Sequence, residues 1–346
     1  MGVPHSFVFG PVLCLTLRST GPVVVILYRS IANRKKTLSE IILHHYPPSP
    51  VSEKVRVVLG LKGLDWRSVT IPRLPPKPDL MPLTGGYRLT PVMQIGADIY
   101  CDSQCINREL ERRIPEPTLF PGGAEGMAWG VGRWTDGALF DLVVTLVFAD
   151  AGDDLPEDFK ADRGPLYFGP GFDMKAIGEK LTETLVQLRS QIGWMDERLA
   201  DRDFMLGAAP GLPDALCYYL IWFIRGRYSK GPEFLEQFKH LLAWEKRVEA
   251  ISHGTPKDME AAEALAIAKA ATPDAASPSD PTSLEPTGLG PGDMAAVVPT
   301  DVSGCPAVTG RITQITSQTI ALARSDDRVG DVVVHFPRAG YRVTGV

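Results

Sequence analysis

Residues 41–64 read IILHHYPPSPVSEKVRVVLGLKGL. Ile41–Tyr46 is an apolar run and predicts a strand. Pro47-Pro48-Ser49-Pro50 stops it abruptly. A helix is predicted over Pro50–Lys62, with Val51, Val55, Val58, Leu59 and Leu61 on its apolar face. Gly63 follows, the residue type that most easily takes the left-handed conformation closing a helix. Ser49 therefore sits where a strand hands over to a helix N-terminus. The unpaired N–H groups and positive dipole end found there favour a thiolate or another anion. Pro50 suits the first helical position, where the missing N–H is no loss.

Outward from this stretch, Trp66–Ile71 reads as a second strand and Arg73–Gly86 as a Pro-rich irregular segment. Pro91–Ile95 and Asp98–Tyr100 form a hairpin around Gly96-Ala97. Asp102-Ser103 caps a helix to about Ile114. The order is βαβ, loop, ββα. Helical periodicity then dominates over Glu125–Phe148, Met174–Ala200, Asp214–Ile224 and Phe234–Ile251, with a loop at Asp150–Phe172. Lys257–Ala271 is expected to be helical, and residues 272–287 to be a flexible linker. Beyond it the period falls to two, in short runs at Ala295–Pro299, Val308–Ile315, Thr319–Ala323, Val332–Phe336 and Tyr341–Val343.

Composition excludes several classes. A net charge of −5 gives no case for nucleic-acid binding. The five cysteines are scattered, so neither a disulfide framework nor a metal site is expected. The N-terminal apolar runs Phe7–Leu17 and Val23–Leu27 fall short of the ~20 residues that span a bilayer. Residues 1–38 carry no acidic side chain, and are expected to be a disordered extension or an over-extended start; an Arg-rich presequence is the alternative. No membrane association is expected, and the chain reads as cytoplasmic.

The turn Ser49-Pro50-Val51-Ser52 with Lys54-Val55-Arg56, the Thr90-Pro91-Val92 step, the Asp102-Ser103 cap, and Phe204-Met205-Leu206-Gly207 before Asp214-Ala215 together resemble the glutathione S-transferase family. The resemblance implies an α/β thioredoxin-like domain at 39–118 and an all-α bundle domain at 124–253. A helix and linker at 254–287 and a small all-β, barrel-like module at 288–346 complete the chain; the module is foreign to the ordinary family. It also implies glutathione as co-substrate, a small hydrophobic electrophile and a possible homodimer, without a metal.

Ser49 matches the position whose hydroxyl stabilises the glutathione thiolate, with Tyr46 as the rival donor. Pro91 resembles the cis-proline beside which Thr90 and Val92 would meet the cysteinyl backbone. Asp102 and Ser103 resemble the acidic-Ser pair that receives the γ-glutamyl end, although relatives mostly carry Glu at the first place. Asp214 is expected to be structural, with Gly211 where relatives carry Ser or Thr. Trp134, Phe140 and Tyr167 are aromatic candidates for the acceptor pocket. Cys101, Cys105, His44 and His45 read as core or surface residues without chemistry, and Arg56 as an ion-pair or packing residue. His335 and Arg338 could meet an anionic partner, but a packed appendage is the simpler reading of the module. The implied activity is attack of an activated glutathione thiol on an electrophilic carbon. The alternative is a non-catalytic binding or scaffolding protein on the same fold.

Overall fold

A computed structural model of the chain describes residues 40–274 and 285–346. The expected N-terminal extension and most of the expected linker lie outside the described residues. The first half runs β1 (Ile41–His45), α1 (Pro50–Leu61), β2 (Asp65–Thr70), a short helix α2 (Met81–Thr84), β3 (Val92–Ile95), β4 (Asp98–Cys101) and α3 (Ser103–Arg113). Strand β1 lies parallel to β2 and antiparallel to β3, and β4 follows β3 as a hairpin. Alternation along β1 sends Ile41 and Leu43 into one core and Ile42 into another, so both faces of the sheet are covered.

The helical domain contains α4 (Glu125–Thr135), α5 (Ala138–Ala151), α6 (Glu157–Phe168), α7 (Met174–Glu179), α8 (Leu181–Arg198), α9 (Leu212–Arg227), α10 (Gly231–Leu235) and α11 (Lys239–Ile251). The almost wholly apolar α9 is its buried centre and packs directly on α1. Three details differ from the sequence reading. The helix expected over Glu125–Phe148 breaks between α4 and α5, at Asp136-Gly137. The expected loop at Asp150–Phe172 contains α6. Residues Thr255–Asp258 form a strand, β5, ahead of α12 (Ala261–Ala270), where a helix was expected to start. All four β5 residues are exposed, so no hydrophobic period marks them. The free edge of β2 recruits them through backbone pairing alone.

The five expected C-terminal strands are present: β6 (Met294–Pro299), β7 (Val308–Ile315), β8 (Thr319–Asp326), β9 (Gly330–Pro337) and β10 (Tyr341–Gly345). They are continuous with the first domain. Strand β9 adds in parallel to β4, pairing Asp98 with Val333 and Tyr100 with His335. The result is one ten-stranded sheet, β10-β6-β7-β8-β9-β4-β3-β1-β2-β5. Ile320, Leu322, Val332, Val334 and Phe336 share a core with Ile42, Val69 and Ile99 and with Leu265 of α12. Among the described residues no helix is long and apolar enough to cross a membrane.

Candidate functional site

Ser49 is the N-cap of α1, with an extended backbone and Pro50 at the first helical position. Its Oγ accepts a hydrogen bond from the Ser52 amide at 3.2 Å. That bond uses the oxygen as acceptor and leaves the O–H free to donate. Ser49 is 2% exposed and lines a cleft between the α/β and helical domains. Tyr46, one turn of chain earlier, lines the same cleft, and its hydroxyl has no hydrogen bond among the described residues.

The Thr90-Pro91 peptide bond is cis. Both residues line the cleft, and Thr90 Oγ1 accepts from Lys77 Nζ at 3.0 Å. Val92 does not line it. It is wholly buried as the first residue of β3 and pairs with His44 on one side and Cys101 on the other. Of this step, Thr90 and Pro91 border the cleft.

Asp102 caps α3 with φ at 74°, and Oδ1 accepts from the Gln104 amide at 2.8 Å. Burial raises its carboxyl above the usual range, while the Gln104 hydrogen bond and Lys54 pull the other way. Ser103 opens the helix and lines the cleft beside it. Asn107, one turn further along α3, also lines the cleft and is 1% exposed. Neither its amide oxygen nor its nitrogen has a partner among the described residues. A buried amide of this kind is normally hydrogen-bonded, to protein or to water.

An ion pair underlies the same cleft. Lys54 of α1 is 1% exposed, and its Nζ lies 2.6 Å from Asp136 Oδ1. The Tyr219 hydroxyl lies 2.7 Å from Thr135 O and 2.9 Å from Asp136 Oδ1, and Lys54 sits over its ring at 4.8 Å from the centroid. The break between α4 and α5 frees Asp136 for this role. At the Thr90 end the balance is positive. Arg163 of α6 lines the cleft and donates to Arg73 O at 2.6 Å. Lys77 lies behind Thr90, and burial, with help from Arg163 and Arg88, pushes its ammonium down to about 7. Asp162, a nearby carboxylate, is held by Arg88 at 2.8 Å and 3.1 Å and lies 3.6 Å from Arg163 Nε.

The C-terminal strands supply a further wall. Asp301 and Gly340 line the cleft, and Asp301 pairs with Arg133 of α4 at 3.0 Å. The Tyr341 hydroxyl lies 3.0 Å from Asp102 Oδ2 and 3.1 Å from the Tyr87 hydroxyl. Of the aromatic candidates, Phe140 and Tyr167 line the cleft together with Trp129. Trp134 does not; it donates to Gln191 and packs on Trp194.

Other residues singled out from sequence are structural. His44 is bound to Gln94 and His45 to Ser68 and Arg56, and burial lowers their pKa values to about 4 and about 3. Arg56 is paired with Glu53. The thiols of Cys101 and Cys105 are buried and pushed up, which keeps them protonated and inert. Asp214 accepts from the Gly211 and Met205 amides and from Trp244 Nε1. His335 is bound to Asp98 and stacked on Tyr100, and Arg338 is paired with Glu285, so neither faces outward for a partner. Among the described residues no cluster of three potential metal ligands exists.

Residues 43–118 match the profile of the glutathione S-transferase N-terminal domain, and residues 179–247 that of the C-terminal domain. The crystal structure of a GST-like protein from Pseudomonas syringae is 37% identical over 89% of this chain and 100% of its own, with a TM-score of 0.70. The chain belongs to the glutathione S-transferase family. The share aligned with the Pseudomonas protein exceeds what residues 1–287 alone could supply, so the match extends into residues 288–346. A glutathione S-transferase from Methylobacterium radiotolerans, in complex with glutathione sulfonate, is 21% identical over 64% of this chain and 97% of its own, with a TM-score of 0.46. FzlA from C. crescentus is 20% identical over 61% of this chain and 88% of its own, with a TM-score of 0.47. Comparison with curated proteins returned no match.

Proposed function

We propose that the cleft binds glutathione and holds its sulfur as a thiolate for attack on a small hydrophobic electrophile. The observation that carries this reading is the convergence of Ser49, the Thr90-Pro91 step and Asp102-Ser103 on one cleft. Glutathione offers two carboxylates, one ammonium, one thiol and an extended backbone. The N-terminus of α3 suits the γ-glutamyl carboxylate, with Asp102 for the ammonium. The Thr90-Pro91 step that borders the cleft suits the cysteinyl backbone. The positive corner of Arg163, with Lys77 behind it, suits the glycyl carboxylate, and an anion there favours the charged form of Lys77. The sulfur then falls near the Ser49 hydroxyl and the N-terminus of α1.

A thiol of pKa ~8.5 is mostly protonated at neutral pH. Lowering it by about two units makes it mostly ionised and corresponds to roughly 2.7 kcal/mol. One donated hydrogen bond and a helix dipole are together of that order. Trp129, Phe140 and Tyr167 give the electrophile an apolar side to rest on.

Conjugation of glutathione to a chloronitrobenzene tests the reading, with glutathione affinity measured in parallel by calorimetry. Ser49→Ala is expected to keep the affinity within a few-fold and to lose on the order of 100-fold in rate, as for removal of one donor to a developing or resident anion. Tyr46→Phe is expected to change the rate little; a large loss there, with Ser49→Ala silent, transfers the donor role to Tyr46. Tight binding of glutathione by wild type with no turnover of any electrophile favours the scaffolding alternative. No binding at all refutes the site.

A further inference from the structure

We propose that Tyr341, from the last strand of the sheet, is a positioning residue of the γ-glutamyl subsite, holding the Asp102 carboxylate in place to receive the substrate ammonium. The proposal rests on the reading of the cleft as a glutathione site. Asp102 has a shorter reach than the glutamate that the family resemblance implies at this place, and its carboxylate stays close to the α3 backbone. Its two oxygens are both engaged: Oδ1 by the Gln104 amide and Oδ2 by the Tyr341 hydroxyl. Removing the phenol leaves Oδ2 with no protein partner among the described residues.

The strands place this hydroxyl firmly. Tyr341 opens β10 opposite Pro299 of β6. The Thr300 amide donates to Gly340 O at 2.9 Å, just ahead of it. Gly340 has φ at 85°, and a Cβ there would lie 3.1 Å from both Arg133 and Asp301, so the turn sits flush against that ion pair. The Tyr341 ring packs on Phe336, and Phe336 on Tyr87. Burial and the Asp102 charge push the Tyr341 hydroxyl well above its usual range, so it keeps its proton and donates.

The groups that face the Asp102 carboxylate are Lys54 of α1, Asp136 after α4, Tyr219 of α9, Tyr87, Cys101 of β4 and Cys105 of α3. Lys54 favours the charged form and Asp136 opposes it. The Tyr341 hydrogen bond favours the charged form as well. Its loss therefore raises the pH at which Asp102 takes up a proton and stops attracting an ammonium.

Calorimetric titration of the full-length protein between pH 4.5 and pH 8 tests this, with glutathione and with cysteinylglycine, which lacks the γ-glutamyl group. Tyr341→Phe keeps the packed ring and removes only the hydroxyl. At pH 7 it is expected to weaken glutathione about tenfold, the scale of one hydrogen bond to a charged group. It should leave cysteinylglycine unchanged and move the acidic limb of the binding profile to higher pH. In an Asp102→Asn background the same change should cost less than about twofold, because its effect runs through the carboxylate. Tyr87→Phe, which leaves the Tyr341–Asp102 contact in place and removes a competing acceptor for its proton, should not move the acidic limb to higher pH. Unchanged glutathione affinity in Tyr341→Phe overturns the proposal. So does an equal loss for both ligands, or an equal loss in the Asp102→Asn background. Absence of glutathione binding by wild type at every pH overturns the glutathione reading itself, and this proposal with it.

Discussion

Lys54 is a charge taken almost wholly out of water and answered by one carboxylate, Asp136, which is itself about one-third open. Breaking such a pair from one side costs more than forming it gains, because the remaining charge is left buried. Asp136→Asn is accordingly expected to destabilise the protein by about 2 kcal/mol, below the range for fully buried pairs because Asp136 is partly solvated. Urea unfolding checks this, and adding Lys54→Met should recover most of the loss. The buried histidines set a second expectation. His44 and His45 are held neutral, with pKa values of about 4 and about 3 against an ordinary 6.5. Between those values the unfolded chain binds protons that the folded one does not, so stability falls as pH drops below about 6.5 and the loss levels off below the folded values. Thermal melts from pH 7.5 to pH 4 should show that slope. His44→Gln, which cannot take up the proton, should flatten part of it. At this scale Ser49, Asp102 and Ser103 were legible because a cap is a local pattern. Asn107, Arg163 and Tyr341 were not, because what makes them part of the cleft is a neighbour far away in the chain.

The elements show how local rules yield to packing. The family resemblance implies Ser or Thr where this chain has Gly211, and a hydroxyl at such a place ordinarily strengthens a helix start. Here a Cβ on Gly211 would lie 2.8 Å from Pro121 Cδ and 2.9 Å from Leu119 O. The Leu212 amide donates to that same Leu119 carbonyl, so the two segments are already in contact. Gly211→Ser is therefore expected to destabilise by about 1–3 kcal/mol, the cost of overpacking, instead of improving the cap. Chemical denaturation decides the sign. Asp214 does the capping itself, as its position in the sequence implied, by accepting the Gly211 amide at 2.8 Å. The strand β5 was invisible for the opposite reason. It buries nothing, and only the vacancy beside β2 gives it a conformation.

For the molecule as a whole, the seam between β4 and β9 matters most. Alternating apolar residues announced the last five strands, and their bounds were close to those observed. Periodicity reports which face is buried, but not which strand lies alongside, so the parallel pairing of β9 with β4 was beyond its reach. With one sheet and a core shared across the seam, the C-terminal strands and the transferase body should unfold together. Tryptophan fluorescence reports the body, since none of the six tryptophans lies beyond Trp244. A probe attached in the last strands should melt at the same temperature; an earlier transition there would mean an independent domain.

The partners across that seam are separated by most of the chain: His335 stands 237 positions after the Asp98 it binds. A ribosome thus finishes the thioredoxin-like strands long before it makes the one that covers their flank. Until then β4 offers a bare row of amides and carbonyls, the kind of border that sticks to other chains. Any copy released early keeps that border bare and lacks Tyr341 beside Asp102, so the same late strands that cover β4 also complete the wall of the cleft.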